Sequence, residues 1–432
     1  MGADAELETT AAIARDLIRF ETVNWGGGRS KGETEAAEYV AAKLEAMGLK
    51  PQLFDAEPGR TSVVARVPGR DQERPAMVLH GHLDVVPADP ANWTVDPFEG
   101  VIKDGMLWGR GAVDMKDMDA MILTSLGDIL AAGELPAREL VVAFFADEEN
   151  GGVFGSHYMV DEHPELFAGA TEAVSEVGGY SIDLGGKRAY LLQTGEKALV
   201  WIKLIARGGA AHGSRVFRDN AITKLAEAVA KIGREEWPVH LTPTTRDQLA
   251  RLADILGGSV DDPDALILSA GTAAGFLQAG IHVTTNPTML EAGYKHNVIP
   301  DRAEALIDTR PFPGGEEEVA ARIREIVGPD IEVETIHHDI GLENPFEGPL
   351  VDAMVAALKR ADPGAPVIPY LMSGGTDNKA LAKLGITGYG FAPLKLSGDL
   401  NFPAMFHGVD ERVPLDALAF GRQVLGDFLR NC

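Results

Sequence analysis

AMVLHGH at residues 76–82 and ELVVAFFAD at residues 139–147 decide the fold. Each is a short apolar run that ends in side chains able to do chemistry. His82 and Asp84 close the first, and Glu148 and Glu149 follow the second. Apolar runs of this length, without alternation, read as strands buried on both faces. Between them, DMDAMILTSLGDILAAG (117–133) reads as a helix with a terminal glycine. Strand, helix and strand in that order predict an α/β unit with a largely parallel sheet. In such a sheet the strand C-termini share one edge, where ligands bind. His82, Asp84, Glu148 and Glu149 can therefore converge although they are far apart in sequence.

Upstream, residues 7–20 and 33–47 carry helical apolar spacing, and TSVVARVPG (61–69) reads as a strand. The character changes near residue 197. KALVWIKLIARG (197–208) alternates as a half-exposed strand, and residues 219–233 form an amphipathic helix. Strands are predicted at 281–285, 303–310 and 331–336, with a helix at 316–327. Strands with helices on one face predict a small α+β, ferredoxin-like domain over 198–339, inserted into a domain made of 1–197 and 340–432. The chain then returns to a helix (350–361), a strand near 367–371, a glycine turn and a last helix (414–430).

The 432 residues include 65 acidic and 39 basic side chains, a formal charge of −26. Nucleic acids and anionic membranes need a basic footprint, so neither is expected as a partner. The acidic excess serves solubility, and a handful of these carboxylates can hold cations. One cysteine, Cys432, permits no intrachain disulfide, which points to a reducing compartment. The N-terminus lacks a basic start followed by an apolar run, and no stretch approaches the ~18 apolar residues of a membrane span. A cytoplasmic location is expected.

The residue types at the strand ends fit metal chemistry. A catalytic zinc takes imidazole and carboxylate ligands and keeps a position open for water. Two metals about 3.5–4 Å apart need a bridging carboxylate. Asp114, in the loop GRGAVDMKD (109–117), suits that role. A ligand histidine needs a carboxylate behind it to fix its tautomer. Residues two apart on a strand point the same way, so Asp84 is placed to orient His82. Adjacent glutamates point differently, so Glu148 and Glu149 should play different parts.

Nine stretches resemble the M20 metallopeptidases: LHGHLDVVP (79–87), WGRGAVDMKD (108–117), FFADEENGG (144–152), SEVGGY (175–180), GGAAHGS (208–214), KHNVIPD (295–301), DTRPFPGG (308–315), SGGTDN (373–378) and FHGVDE (406–411). They stand in family order and span nearly the whole chain. The family includes aminoacylases, acetylornithine deacetylase, succinyl-diaminopimelate desuccinylase, carnosinase-like dipeptidases and bacterial glutamate carboxypeptidase. The resemblance implies a zinc-exopeptidase-like catalytic domain carrying a lid or dimerisation domain. It implies two zinc ions per subunit, with cobalt as a substitute. His82, Asp114 and Glu176 would hold one ion; Asp114, Glu149 and His407 would hold the other.

By the same resemblance, Glu148 would be the general base and Asp84 the carboxylate behind His82. His212 would reach the active site of a partner subunit and help hold the oxyanion. Asn297 and Arg310 would meet the substrate. The turn at Gly375 and Thr376 offers backbone amides to a carboxylate. Read without the resemblance, Glu176 is a surface acid, His407 and His212 are loop histidines, and Arg310 pairs with Asp308 or Glu304. The implied activity is hydrolysis of the amide bond in a small N-acyl amino acid or dipeptide. Alternatives are a dipeptidase or carboxypeptidase, a carbamoyl-amide hydrolase, and a non-catalytic relative that binds an amino-acid-like ligand. The chain departs from many relatives in two places. Asp117 stands where they carry glycine, and Val177 follows Glu176 where they carry Glu-Gly.

Overall fold

The computed structural model describes residues 9–432. The first predicted helix is observed as Thr9–Ile18; its expected start at residues 7–8 lies outside the described residues. The two deciding runs are strands Ala76–His82 and Leu140–Phe145, buried at every position. They lie side by side and parallel. Ala170–Ser175 pairs parallel with Ala76–His82, and Thr387–Gly390 pairs parallel with Ala170–Ser175.

This parallel core is extended on both sides by antiparallel neighbours. Thr61–Val67 and Gln52–Asp55 flank one side, and Lys187–Glu196 flanks the other. The ten-stranded sheet is thus mixed, with its parallel part at the centre. Helices Thr9–Ile18, Lys116–Ala131 and Leu415–Asn431 pack in the larger hydrophobic core, with Leu17, Leu123 and Phe428 fully buried.

A second sheet contains Thr284–Ala292, Arg302–Arg310, Leu199–Arg207 and Ile331–Asp339 in that spatial order, all antiparallel. Numbered along the chain, the strand order is 2-3-1-4. Helices Ala221–Ile232 and Glu316–Val327 cover one face, burying Leu225, Ile232, Val319 and Ile323 against Ile202, Leu204 and Ile307. Asn220 caps the first of these helices by accepting from the amides of Ile222 and Thr223.

The strand expected at 281–285 begins at Thr284 and runs on to Ala292. Its polar continuation is held by pairing with Arg302–Arg310 rather than by apolar spacing. Residues 198–339 do not all pack together. Leu249, Leu252, Leu266 and Leu277, from the helical stretch 243–278, are buried in the core of the large sheet. Among the described residues no helix is long and apolar enough to cross a membrane.

Candidate metal centre

The parallel strands deliver their C-terminal ends to one edge. His82 is the last residue of its strand, Glu176 directly follows Ala170–Ser175, and Glu148 and Glu149 stand in a turn just past Leu140–Phe145. Asp114 precedes the helix Lys116–Ala131, and His407 follows the short turn Phe402–Met405. His82 Nε2 lies 3.1 Å from Asp114 Oδ1 and 3.6 Å from Glu176 Oε2. His407 Nε2 lies 3.2 Å from Asp114 Oδ2 and 3.1 Å from Glu149 Oε2. Two donor triads result, His82–Asp114–Glu176 and Asp114–Glu149–His407, with Asp114 common to both.

The carboxylates of Asp114, Glu148, Glu149 and Glu176 crowd around the imidazoles of His82 and His407. Burial, then repulsion from neighbours such as Asp114, pushes the Glu176 carboxyl up to about 8, although His82 pulls against it. Burial raises Glu148 well above its ordinary range, with Glu176, Asp377 and Glu149 adding to the effect. Burial opposes protonation of His407, yet Glu149 and Asp114 outweigh it and hold the imidazole above its usual range. A cluster short of positive charge with only nitrogen and oxygen donors fits divalent cations. Glu148 belongs to neither triad; its carboxylate stands 3.9 Å from His82 Nε2.

The Asp84 carboxylate is bonded chiefly to the turn that carries Glu148 and Glu149. Its two oxygens accept the backbone amides of Glu148 (3.1 Å) and Glu149 (3.2 Å), and Asn24 Nδ2 donates to it at 2.9 Å. His82 Nδ1 is 3.0 Å from the Asp84 carbonyl and 3.5 Å from the carboxylate. Asn24 also donates to Asp147 at 2.9 Å, and Arg60 pairs with both Asp147 and Glu33. Glu411 Oε1 accepts the amides of Val113 and Asp114, while its other oxygen takes Arg110 at 2.7 Å. Asn24, Arg60, Asp147 and Glu411 therefore fix the turns that present the donors. Sequence reasoning assigned them no role. Asp147 and Glu411 stand inside quoted stretches, which is the one signal they offered.

Asp147, Val177 and His407 all adopt the left-handed backbone conformation. For Asp147 the cost is modest; for β-branched Val177 it is about 1–3 kcal/mol. The glycine that many relatives carry at this position meets no such cost.

The triads open on a cavity of about 320 Å³. Val177, Phe276, Met372 and Phe406 form apolar wall from the large core's side, and Leu199, Trp201 and Arg310 come from the four-stranded sheet. Gly375 and Thr376 line it too, but the Thr376 amide and hydroxyl both donate to Glu196. Arg310 makes a two-pronged pair with Asp308, at 2.6 and 2.9 Å, while still facing the cavity.

His212 and Asn297 are elsewhere. His212 sits on a two-stranded ribbon, Ala211–His212 against Val298–Ile299, Asn297 directly precedes its second strand, and neither lines the cavity. His212 is exposed, with Nδ1 2.8 Å from Ser214 Oγ. Asn297 Oδ1 is buried without a hydrogen-bond partner among the described residues.

Comparison with known proteins places the fold among relatives of the same architecture. Human aminoacylase-1 is 27% identical over 425 residues, covering 94% of this chain and 91% of that protein. A metallo-carboxypeptidase of the M20 family from Sulfolobus solfataricus superposes with a TM-score of 0.78 at 19% identity, over 98% of this chain and 99% of the other. A dinuclear metal-binding M20 peptidase from Bacillus subtilis gives 0.60 at 14% identity, over 98% of both chains. The protein is a metallohydrolase. Residues 78–431 match peptidase family M20/M25/M40, and the chain belongs to that family.

Proposed function

We propose that the chain hydrolyses the amide bond of a small N-acyl amino acid or dipeptide with a free carboxylate, using two metal ions. The observation that carries this reading is the pair of donor triads sharing Asp114 at the floor of the cavity. His82, Asp114 and Glu176 hold one ion, and Asp114, Glu149 and His407 hold the other. Zinc suits this donor set, and cobalt can take its place. Bound zinc polarises a carbonyl and makes hydroxide available from water near neutral pH. Glu148 accepts the proton of the attacking water and passes it to the leaving nitrogen. Arg310 faces the substrate carboxylate, with the turn at Gly375 and Thr376 beside it.

The test is a hydrolysis panel of N-acyl amino acids and dipeptides, run with added zinc and again after chelation. Turnover of one class, loss on chelation and return with zinc or cobalt are expected. Activity that survives exhaustive chelation would refute the metal reading.

We infer that the enzyme works as a cytoplasmic homodimer, in which the four-stranded sheet serves as lid and contact surface within the region 198–339. Two observations support the dimer. Thr284–Ala292 is an edge strand of that sheet, and Met289, Leu290 and nearby Tyr294 are 62%, 60% and 81% exposed. An open edge of this kind invites a second strand. His212 and Asn297 also stand away from their own chain's cavity, as residues serving a neighbour's site would. Mixing inactive His212→Ala with inactive Glu148→Ala, under conditions of subunit exchange, should restore activity. Each hybrid then holds one site with an intact base and an intact histidine. No recovery in proven hybrids would remove His212 from the partner's site.

A further inference from the structure

The chain passes between the large core and the four-stranded sheet four times. Residues 197–198 leave the strand Lys187–Glu196. Residues 233–242 lead from the helix Ala221–Ile232 to the helix Pro243–Leu256 on the large core. Residues 279–283 lead to the edge strand that starts at Thr284. Residues 340–341 return from Ile331–Asp339 to Leu342–Glu343, which pairs with Lys187–Glu196.

Two buried lysines join these passages. Lys379 Nζ donates to the carbonyl of Lys197, in the first, and to that of Ile340, in the last, at 2.9 Å. Lys197 Nζ donates to the carbonyl of His282, in the third. His282 Nδ1 donates to the Trp237 carbonyl, in the second, at 2.8 Å, and the His240 amide donates to the Ile281 carbonyl at 2.9 Å. All four passages are thus tied at one waist.

Burying an ammonium is costly unless its donors are used. The Lys379 side chain is 4% exposed, and Lys197 is fully buried with its ammonium 4.7 Å over the Phe312 ring. Lys379 also lines the cavity, one turn from Thr376. Its neighbour Glu196, 3.7 Å away, accepts the amide and hydroxyl of Thr376. The waist is therefore continuous with the cavity wall. The same return passage is gripped from the other side, where His157 Nε2 meets Asp339 Oδ2 at 3.3 Å.

We propose that Lys379, acting with Lys197, is a positioning residue that sets the angle between the two sheets and so holds Arg310 and Trp201 in the cavity wall opposite the donor triads. Its effect on substrate affinity rests on the amidohydrolase reading above; its effect on the waist does not.

The test uses the metal-loaded full chain carrying Lys379→Met, which keeps the length and removes the donors. Amide hydrogen exchange at 197–201 and 339–343 should rise about tenfold, the loss expected of one charged hydrogen bond. KM for the best substrate should rise about tenfold while kcat stays within about twofold, since the lid side of the cavity is lost rather than the chemistry. Lys379→Arg, which keeps donors, should recover KM. Lys197→Met should give the same pattern, and the double variant should fall short of the sum because both act on one waist. Unchanged exchange at the two crossings, or a fall in kcat with KM unchanged, overturns the proposal. If Lys379→Met does not fold, Lys197→Met decides by exchange at 197–201 and 281–283. If the wild type turns over no substrate, the amidohydrolase reading fails, and the exchange experiment still decides the role of Lys379.

Discussion

Glu148→Gln is expected to cut turnover by orders of magnitude and leave both metals in place. The substitution keeps the size of the side chain and removes its ability to accept a proton. Glu148 lies in neither donor triad, so metal content should remain at the wild-type level. The turn that carries it is held by its backbone, through the amide bonded to Asp84 Oδ1 at 3.1 Å, and glutamine leaves that bond intact. The loss should fall on kcat by about 10²–10⁴-fold, the usual worth of a placed general base. KM should change little, because the apolar wall and Arg310 are untouched. Metal analysis beside steady-state kinetics reads both. A variant that keeps its kcat would end the assignment of Glu148 as base. Glu149→Gln is the contrast: it removes a triad member, so its activity loss should come with lost metal.

The part of the site legible in the sequence is the part that strands present. His82, Glu148 and Glu149 were readable because two fully apolar runs stop at them, and parallel strands end on one edge. Glu176 closes a strand of the same sheet, but ATEAVS carries too few apolar residues to announce one. Three of its six positions are less than fully buried, so hydrophobic patterning had little to act on. Lys187–Glu196 escaped for a related reason. Its polar residues Thr194 and Glu196 are buried where they meet Thr244 and Thr376 across the fold, which no local pattern records.

His407 stands in a loop with a left-handed backbone, where no periodicity exists to read. Resemblance alone pointed to it. The supporting network was the least legible. Asn24 and Arg60 belong to segments that look like ordinary polar loops, and Glu33 opens a predicted helix; they are buried because Asn24 donates to Asp84 and Asp147 and Arg60 pairs with Asp147 and Glu33 across the fold. The mixed character of the large sheet has the same origin. Antiparallel flanks are settled by which strand ends up beside which, not by the strands' own composition.

Asp114→Ala is expected to empty both metal positions at once. Asp114 is the one residue common to the two triads, with Oδ1 toward His82 and Oδ2 toward His407. Its loss leaves each position two protein ligands. A carboxylate that merely supports a ligand is worth about 10–100-fold in metal affinity. A shared ligand should cost more than that at both positions. The fold should survive. The amides of Val113 and Asp114 still donate to Glu411, and alanine keeps both bonds. Metal per chain after dialysis should fall toward zero with an unchanged circular dichroism spectrum. Glu176→Ala and His407→Ala should each empty mainly one position, because each belongs to a single triad. That asymmetry separates a bridging carboxylate from an ordinary ligand. If Asp114→Ala lost no more metal than Glu176→Ala, the two ions would not be sharing Asp114, and the two-metal reading of the site would have to be abandoned.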